Sequence, residues 1–370
     1  MKILYLCYED IEEMSSVAQK VLGQVRAWKE LGEIGVVLSL KSLKLYGFDG
    51  NVLKAYRKDT QRCPAGRMKI AMKLDTAKIF WKHSFYLEKI IRELSPDTIY
   101  MRYLLWTPFL LRALKLAPYV VEINTNEMVE YFLRSKITGL YNYLTRNILL
   151  SHAAGFVCVT EELTENVKDF GVPISIIGNG IQVKDYPFSL VPHNKRPKLL
   201  FIGSPNHNWH GLDKIEFLSI KLPEYEFHII GVKKEGRANL FYHGYLPSIE
   251  TARLAACVDV GISTLSLYYK SMIEACPLKS RQYLAQGLPV IMAYKDVDVA
   301  GDLPFILELP NEPHNVDKCL DMIVGFVKRV FNDQNIRNKA REFAIKYLDV
   351  GIKEKLRVDF IHKIYEAPAA

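Results

Sequence analysis

The 370-residue chain is long enough for two domains with substantial cores, and a hydrophobic content of 49% excludes a disordered chain. Its formal charge of +8, from 49 basic and 41 acidic side chains, suits phosphates, nucleic acid or an anionic membrane surface without choosing among them. The six scattered cysteines form neither a CxxC pair nor a zinc spacing, so reduced thiols and no metal site are expected.

The N-terminal MKILYLCYEDIEE reads as a strand rather than a secretory leader, and no apolar run reaches the roughly 20 residues of a spanning helix. A cytoplasmic protein is expected. Residues 2–8 form the first strand, and Val21, Val25, Trp28 and Leu31 recur at helical spacing after it. VVLSL is the second strand, so the chain opens as a doubly wound parallel sheet. The first loop lacks GxGxxG, which argues against a nicotinamide dinucleotide. Ser15 and Ser16 there either cap the helix or offer hydroxyls to a sugar or phosphate.

From Lys54 to Lys82 nine basic residues stand against Asp59 and Asp75. The run is read either as contact with an anionic membrane surface or as an ordinary solvated face. Helix LEKIIREL, strand DTIYMRY, helix FLLRALKLA and strand YVVEINT follow, with Pro96 and Pro118 before the strands. Arg102, Glu122, Asn124 and Thr125 then stand near the carboxyl ends of strands, where open α/β sheets place ligands. Glu122 is equally readable as a structural carboxylate. GFVCVT is a further strand, Asn179-Gly180 suits a tight turn, and PFSLVPHNKRP is the expected linker.

The second half opens with KLLFIGS and the loop PNHNWHG, containing Gly203, His210 and Gly211, before a helix from about Leu212. Such a switch can hold phosphate on backbone amides. FYHGYLP supplies His243 and Gly244. In YKSMIEACPLKSRQYLAQGLPVIMAY, Pro277 suits the start of a helix, Gly287 its end, and LPVIMAY a buried strand. Glu274 falls in the loop before that helix, with Leu278, Lys279, Arg281 and Gln282 within it.

The segment E-x2-PLK-x-R-x-YLAQGLPV resembles the donor-site signature of the family-four retaining glycosyltransferases. That resemblance implies a GT-B fold, two facing doubly wound Rossmann-like domains with a cleft between them. It divides the chain into an acceptor domain over 1–185, a donor domain over 186–345, and a C-terminal helix over 346–370 that crosses back to the first. It implies transfer of a hexosyl group from a nucleotide diphosphate sugar to a glycan or lipid-linked acceptor, without a tightly bound cofactor and without a metal. Polysaccharide or glycolipid biosynthesis at the inner face of a membrane is the setting it suggests.

By the same resemblance Glu274 touches the donor sugar and Lys279 the diphosphate, as the catalytic pair. Gly203, His210, Gly211, His243, Gly244, Pro277, Leu278, Arg281 and Gln282 bind the donor, and Ser15, Ser16, Arg102, Glu122, Asn124 and Thr125 the acceptor. The chain departs from the family in three places. Gln282 replaces the second acid, no histidine lies between His83 and His152, and the usual basic pair after the first donor strand is missing, so Lys279 and Arg281 are expected to share diphosphate neutralisation. Those departures motivate one alternative, a sugar-nucleotide binding or scaffold subunit without turnover, and a same-fold epimerase or hydrolase, which needs no separate acceptor, is another. The basic residues do not interleave with a base-stacking platform, which argues against nucleic acid.

Overall fold

The computed structural model describes residues 1–13, 15–56, 80–205 and 207–366. The basic run 54–82 therefore lies largely outside the described residues, and only Lys54 and Lys82 of its cations are placed. The chain divides into two compact units, Met1–Ile177 with Lys353–Ala370, and Gly178–Ile352.

The first unit is built on an eight-stranded sheet in the order β4-β3-β2-β1-β5-β6-β7-β8. Its strands are β1 (Lys2–Cys7), β2 (Ile34–Ser39), β3 (Lys44–Tyr46), β4 (Val52–Ala55), β5 (Thr98–Arg102), β6 (Tyr119–Ile123), β7 (Gly155–Cys158) and β8 (Ile174–Ile176). From β2 to β8 every pairing is parallel, which suits strands that read as continuous apolar runs buried on both faces. The antiparallel β3 and β4 extend the edge, an addition that the sequence reading passed over.

Helix Ser16–Glu30 buries Val21, Val25 and Trp28 against this sheet as the spacing predicts, whereas Leu31, the fourth member of that pattern, is the C-cap and is exposed. The C-terminal helix Val350–Glu366 adds Val358, Phe360, Ile361 and Ile364 to the same core. Leu356, at the edge of the face that those four residues define, is half exposed. Within this unit Trp28 donates its indole N–H to Glu354 at 2.8 Å, and Arg357 donates to the Tyr100 hydroxyl at 2.8 Å.

The second unit holds an all-parallel six-stranded sheet in the order β11-β10-β9-β12-β13-β14. The strands are β9 (Lys198–Ile202), β10 (Glu226–Ile230), β11 (Leu240–Gly244), β12 (Val260–Ile262), β13 (Val290–Met292) and β14 (Ile306–Glu308). Strand order reverses between β9 and β12, and the loops leaving their carboxyl ends frame the crevice where such sheets bind ligands.

The break between units falls at Ile177/Gly178, ahead of the Asn179-Gly180 turn, rather than at 185/186, and the return falls at Ile352/Lys353. Asn179 explains the earlier break, since its amide donates to the Cys276 carbonyl at 2.8 Å and so ties the turn into the second unit.

Candidate active site

In the second unit the site grows from the helix Leu278–Ala285. Pro277 is its N-cap rather than its first helical residue, with extended backbone at φ −68° and ψ 144°. Proline has no capping side chain, so the first-turn amides are left to solvent or a ligand. The positive end of the helix dipole favours an anion at this point.

Lys279 lies in that first turn. Its ammonium is buried, has no hydrogen-bond partner, and stands 4.2 Å from the centroid of the Phe201 ring at the end of β9. Burial pushes its pKa down to about 7. A cation–π contact offsets only part of the cost of removing an ammonium from water.

His210 packs edge-on to Phe201 at 5.6 Å between ring centroids. Burial, with the neighbouring Lys279 adding to it, pushes its pKa down to about 2, so the imidazole is neutral across the working range. Gly203 sits against both rings, and a Cβ there would lie 2.6 Å from Phe201 and 2.9 Å from His210 Nδ1. Gly211, at φ +74°, caps the helix Leu212–Lys221 and packs against Leu265. Lys279, His210 and Gly203 are thus gathered around one ring, with Gly211 next to His210 in the chain. Phe201 was not singled out in the sequence, where its only signal was an aromatic near the carboxyl end of a buried strand.

Arg281 does not join them. It is fully buried, its guanidinium forks onto Asp296 at 2.8 Å and Asp298 at 2.6 Å, and its Nε donates to the Asn179 carbonyl at 3.2 Å. The expectation that it shares diphosphate neutralisation is corrected accordingly, because its charge is already met by two carboxylates. Residues two apart on a helix point about 200° away from each other, so Lys279 and Arg281 face different surroundings. Gln282, three positions after Lys279, is half-buried on the lysine's side of the helix.

Half-buried Glu274 lies in the loop before Pro277, in a backbone bridge to Lys295. His243 lies on β11 and packs with a second histidine. It stacks on His228 at 5.3 Å between centroids, with 3.1 Å between His228 Nδ1 and His243 Nε2, and burial lowers the pKa of both rings. Gly244, at φ +64°, ends β11 and accepts from the Gly231 amide at 2.6 Å. Lys214, in the helix that follows the loop after β9, donates to the Leu265 and Glu312 carbonyls and to Asn315 at 2.7 to 2.9 Å.

In the first unit Glu122 is fully buried and paired with Lys20, and it accepts from the Tyr100 hydroxyl at 2.8 Å. Burial alone would raise its pKa, but Lys20, Arg357 and Arg102 hold the carboxyl far below the usual range. The structural reading of Glu122 is the one these contacts support. Ser15 caps its helix by accepting from the Ala18 amide at 3.1 Å, and exposed Ser16 is the first helical residue.

Arg102, Asn124 and Thr125 stand together on the wall of a cavity of about 610 Å³ within this unit. Asn124 Oδ1 accepts from Lys20 at 2.8 Å and from Arg102 at 3.4 Å. Ser15, Ser16 and Glu122 do not line the cavity. Its other walls include Tyr103, Leu104, Tyr131 and Tyr141, which the sequence reading left unassigned although tyrosines are dense there. Among the described residues no group of three or more His, Cys, Asp or Glu side chains could hold a metal ion, and no helix is long and apolar enough to cross a membrane.

Comparison with known proteins follows the same lines. Residues 46–185 match the sequence model of the family described as Glycosyltransferase Family 4. No curated protein matches the chain. Sucrose-phosphate synthase from Thermosynechococcus elongatus superposes with a TM-score of 0.72 at 12% identity, over 100% of both chains. A glycosyltransferase from Rickettsia africae aligns over 99% of both chains with a TM-score of 0.65 and 14% identity. Anabaena HepE, solved in complex with UDP, aligns over 98% of this chain and 100% of its own with a TM-score of 0.61 and 12% identity. At such identities these likenesses establish the two-domain fold.

Proposed function

We propose, for a chain that is a GT-B glycosyltransferase carrying a Family 4 segment, transfer of a sugar from a nucleoside diphosphate sugar to a glycan or lipid-linked acceptor, with retention at the anomeric carbon. The observation that carries the reading is the buried, unpartnered Lys279 ammonium in the first turn of an uncapped helix. A diphosphate supplies the charge that both features lack.

In the reaction the bond from the anomeric carbon to the diphosphate oxygen breaks, and the acceptor oxygen bonds to that carbon on the same face. The acceptor proton passes to the departing phosphate oxygen. Negative charge grows on the diphosphate as the bond breaks, so Lys279 and the amides of the first helical turn act most strongly in the transition state. Those donors supply the positive charge that a metal would otherwise bring. Glu274 accepts hydrogen bonds from sugar hydroxyls, and Gln282 can both donate to and accept from the ribose. His243 and Gly244 are assigned to the nucleotide, and Arg102, Asn124 and Thr125 to the acceptor. The basic run 54–82 supports work at an anionic membrane surface.

A panel of nucleotide sugars tested against glycan and lipid acceptors, beginning with UDP-glucose, checks the reading. Transfer with the donor's anomeric configuration kept, read by NMR of the product, is expected, and an inverted product overturns the mechanism. A second reading, a sugar-nucleotide binding subunit without turnover, is favoured by the occupied Arg281, which leaves Lys279 without a basic companion on its helix. Donor binding with no transfer to any acceptor of the panel selects it.

A further inference from the structure

In the first unit the helix Lys136–Leu150, which follows the shorter helix Glu127–Arg134, carries an inverted pattern. On its inner side Tyr141 donates to the Trp106 carbonyl at 2.7 Å, Asn142 accepts from the Tyr103 hydroxyl at 2.5 Å, and Gly139, Leu149 and Leu150 are buried. Its outer side is apolar. Ile137, Leu140, Leu144 and Ile148 recur there at spacings of three and four, Tyr143 flanks them, and Leu133 is exposed just before the helix starts. These six side chains are 42% to 83% exposed. They leave a patch on the order of 600 Å², the upper end of what a monomer ordinarily shows, while a standard interface buries about 800 Å² from each partner.

The charges beside the stripe favour a protein partner over a bilayer. A helix that lies on a membrane surface carries several free cations along its flanks. Here Arg134 pairs with Glu130, Arg146 turns inward to Glu127 at 2.6 Å, and Lys136 is the remaining cation of the longer helix. The stripe also complements itself. Laid antiparallel on a second copy, Ile137 meets Ile148 of the partner subunit and Leu140 meets Leu144 of the partner subunit, so that every contact occurs twice about a two-fold axis near mid-helix. Lys136 then lies at the last turn of the facing helix, whose carbonyls favour a cation, and no like charges meet along the middle of the stripe. We infer that this face holds a second copy of the chain, the two helices Lys136–Leu150 packing antiparallel to cover each other's apolar side.

Analytical ultracentrifugation of the full chain across the micromolar range should show a mass that rises with concentration toward twice 42.5 kDa. Leu140→Glu and Leu144→Glu, each at an exposed position, should weaken the pair by about 100-fold or more, the scale of losing a buried hot spot, with circular dichroism confirming that both fold. Disulfide capture reads the register. Ile137→Cys mixed with Ile148→Cys should cross-link, while either variant alone should not, since the two positions stand about 16 Å apart along one helix. The parent chain controls for the exposed Cys257. A monomer across the whole range, a dimer that both folded variants leave intact, a mixture that fails to cross-link, or capture of Ile137→Cys by itself overturns the inference. So does a monomer that binds phosphatidylglycerol vesicles and loses them in Leu140→Glu, which would assign the stripe to a bilayer. No donor or acceptor enters these measurements, so their outcome is independent of the transferase reading.

Discussion

Lys279 holds its ammonium 4.2 Å from the centre of the Phe201 ring with no hydrogen-bond partner. Unfolded, that amine titrates near 10.5, whereas in the folded chain it titrates at about 7. Between those values the folded chain carries fewer protons than the unfolded one, so stability should rise with pH across that window. Lys279→Met should remove that rise, as urea melts at neutral and alkaline pH will show. A bound diphosphate favours the charged amine, so near pH 8 binding of UDP should take up close to one proton. Calorimetry in buffers of different ionisation enthalpy reads that uptake directly, and its absence would separate Lys279 from the diphosphate.

Glu274→Ala is expected to lower transfer by about 100-fold or more, the scale of losing an interaction strengthened in the transition state, while leaving the melting temperature within a few degrees. The residue is half-buried, and its place in the fold is fixed by the backbone bridge to Lys295. Full turnover in the folded variant would count against its assignment to the donor sugar.

Arg281→Ala should act on stability. It leaves Asp296 and Asp298 without their guanidinium, and breaking a buried pair of this kind costs about 3–5 kcal/mol. Denaturant melts should show that loss, and a variant as stable as the parent but weak in donor binding would restore the diphosphate role that the geometry denies it.

Removing Glu122 strands Lys20 in the interior, so Glu122→Ala should destabilise the first unit by about 3–5 kcal/mol. The carboxyl is held far below its ordinary range, so its stabilising contribution is complete at neutral pH. It should be lost only as pH falls well under 4. An unchanged unfolding midpoint for Glu122→Ala would argue that the network is not structural.

Gly231 adopts φ +91°, and a Cβ there would overlap the Gly203 carbonyl oxygen. Gly231→Ala should therefore displace the loop beside His210 and cost roughly 1–3 kcal/mol. A loss of UDP affinity should accompany the lower melting temperature, and an alanine variant that binds UDP as the parent does would show that the loop tolerates the shift.

Much of the fold was legible because its strands are short apolar runs punctuated by glycine and proline, as in KLLFIGS and LPVIMAY. The β3–β4 addition was not, since KLY and VLKA are brief and β4 is exposed along its length, leaving no pattern to read. Around the site, the helix that carries Lys279 was legible from Pro277 before it and Gly287 after it. Arg281 was expected beside Lys279 because closeness in sequence was taken for closeness in space, while its partners Asp296 and Asp298 lie in a turn 15 and 17 positions away, where no helical spacing points to them. The pairing of Glu122 with Lys20 spans 102 positions, and no local pattern announces it.

The first unit is not finished by its own stretch of chain. Val358, Phe360, Ile361 and Ile364 complete a core whose other members come before residue 178, so the chain through residue 364 must leave the ribosome before that core can close. The second unit, continuous from Gly178 to Ile352, can condense first, which reverses the usual N-terminal-first order of folding during synthesis.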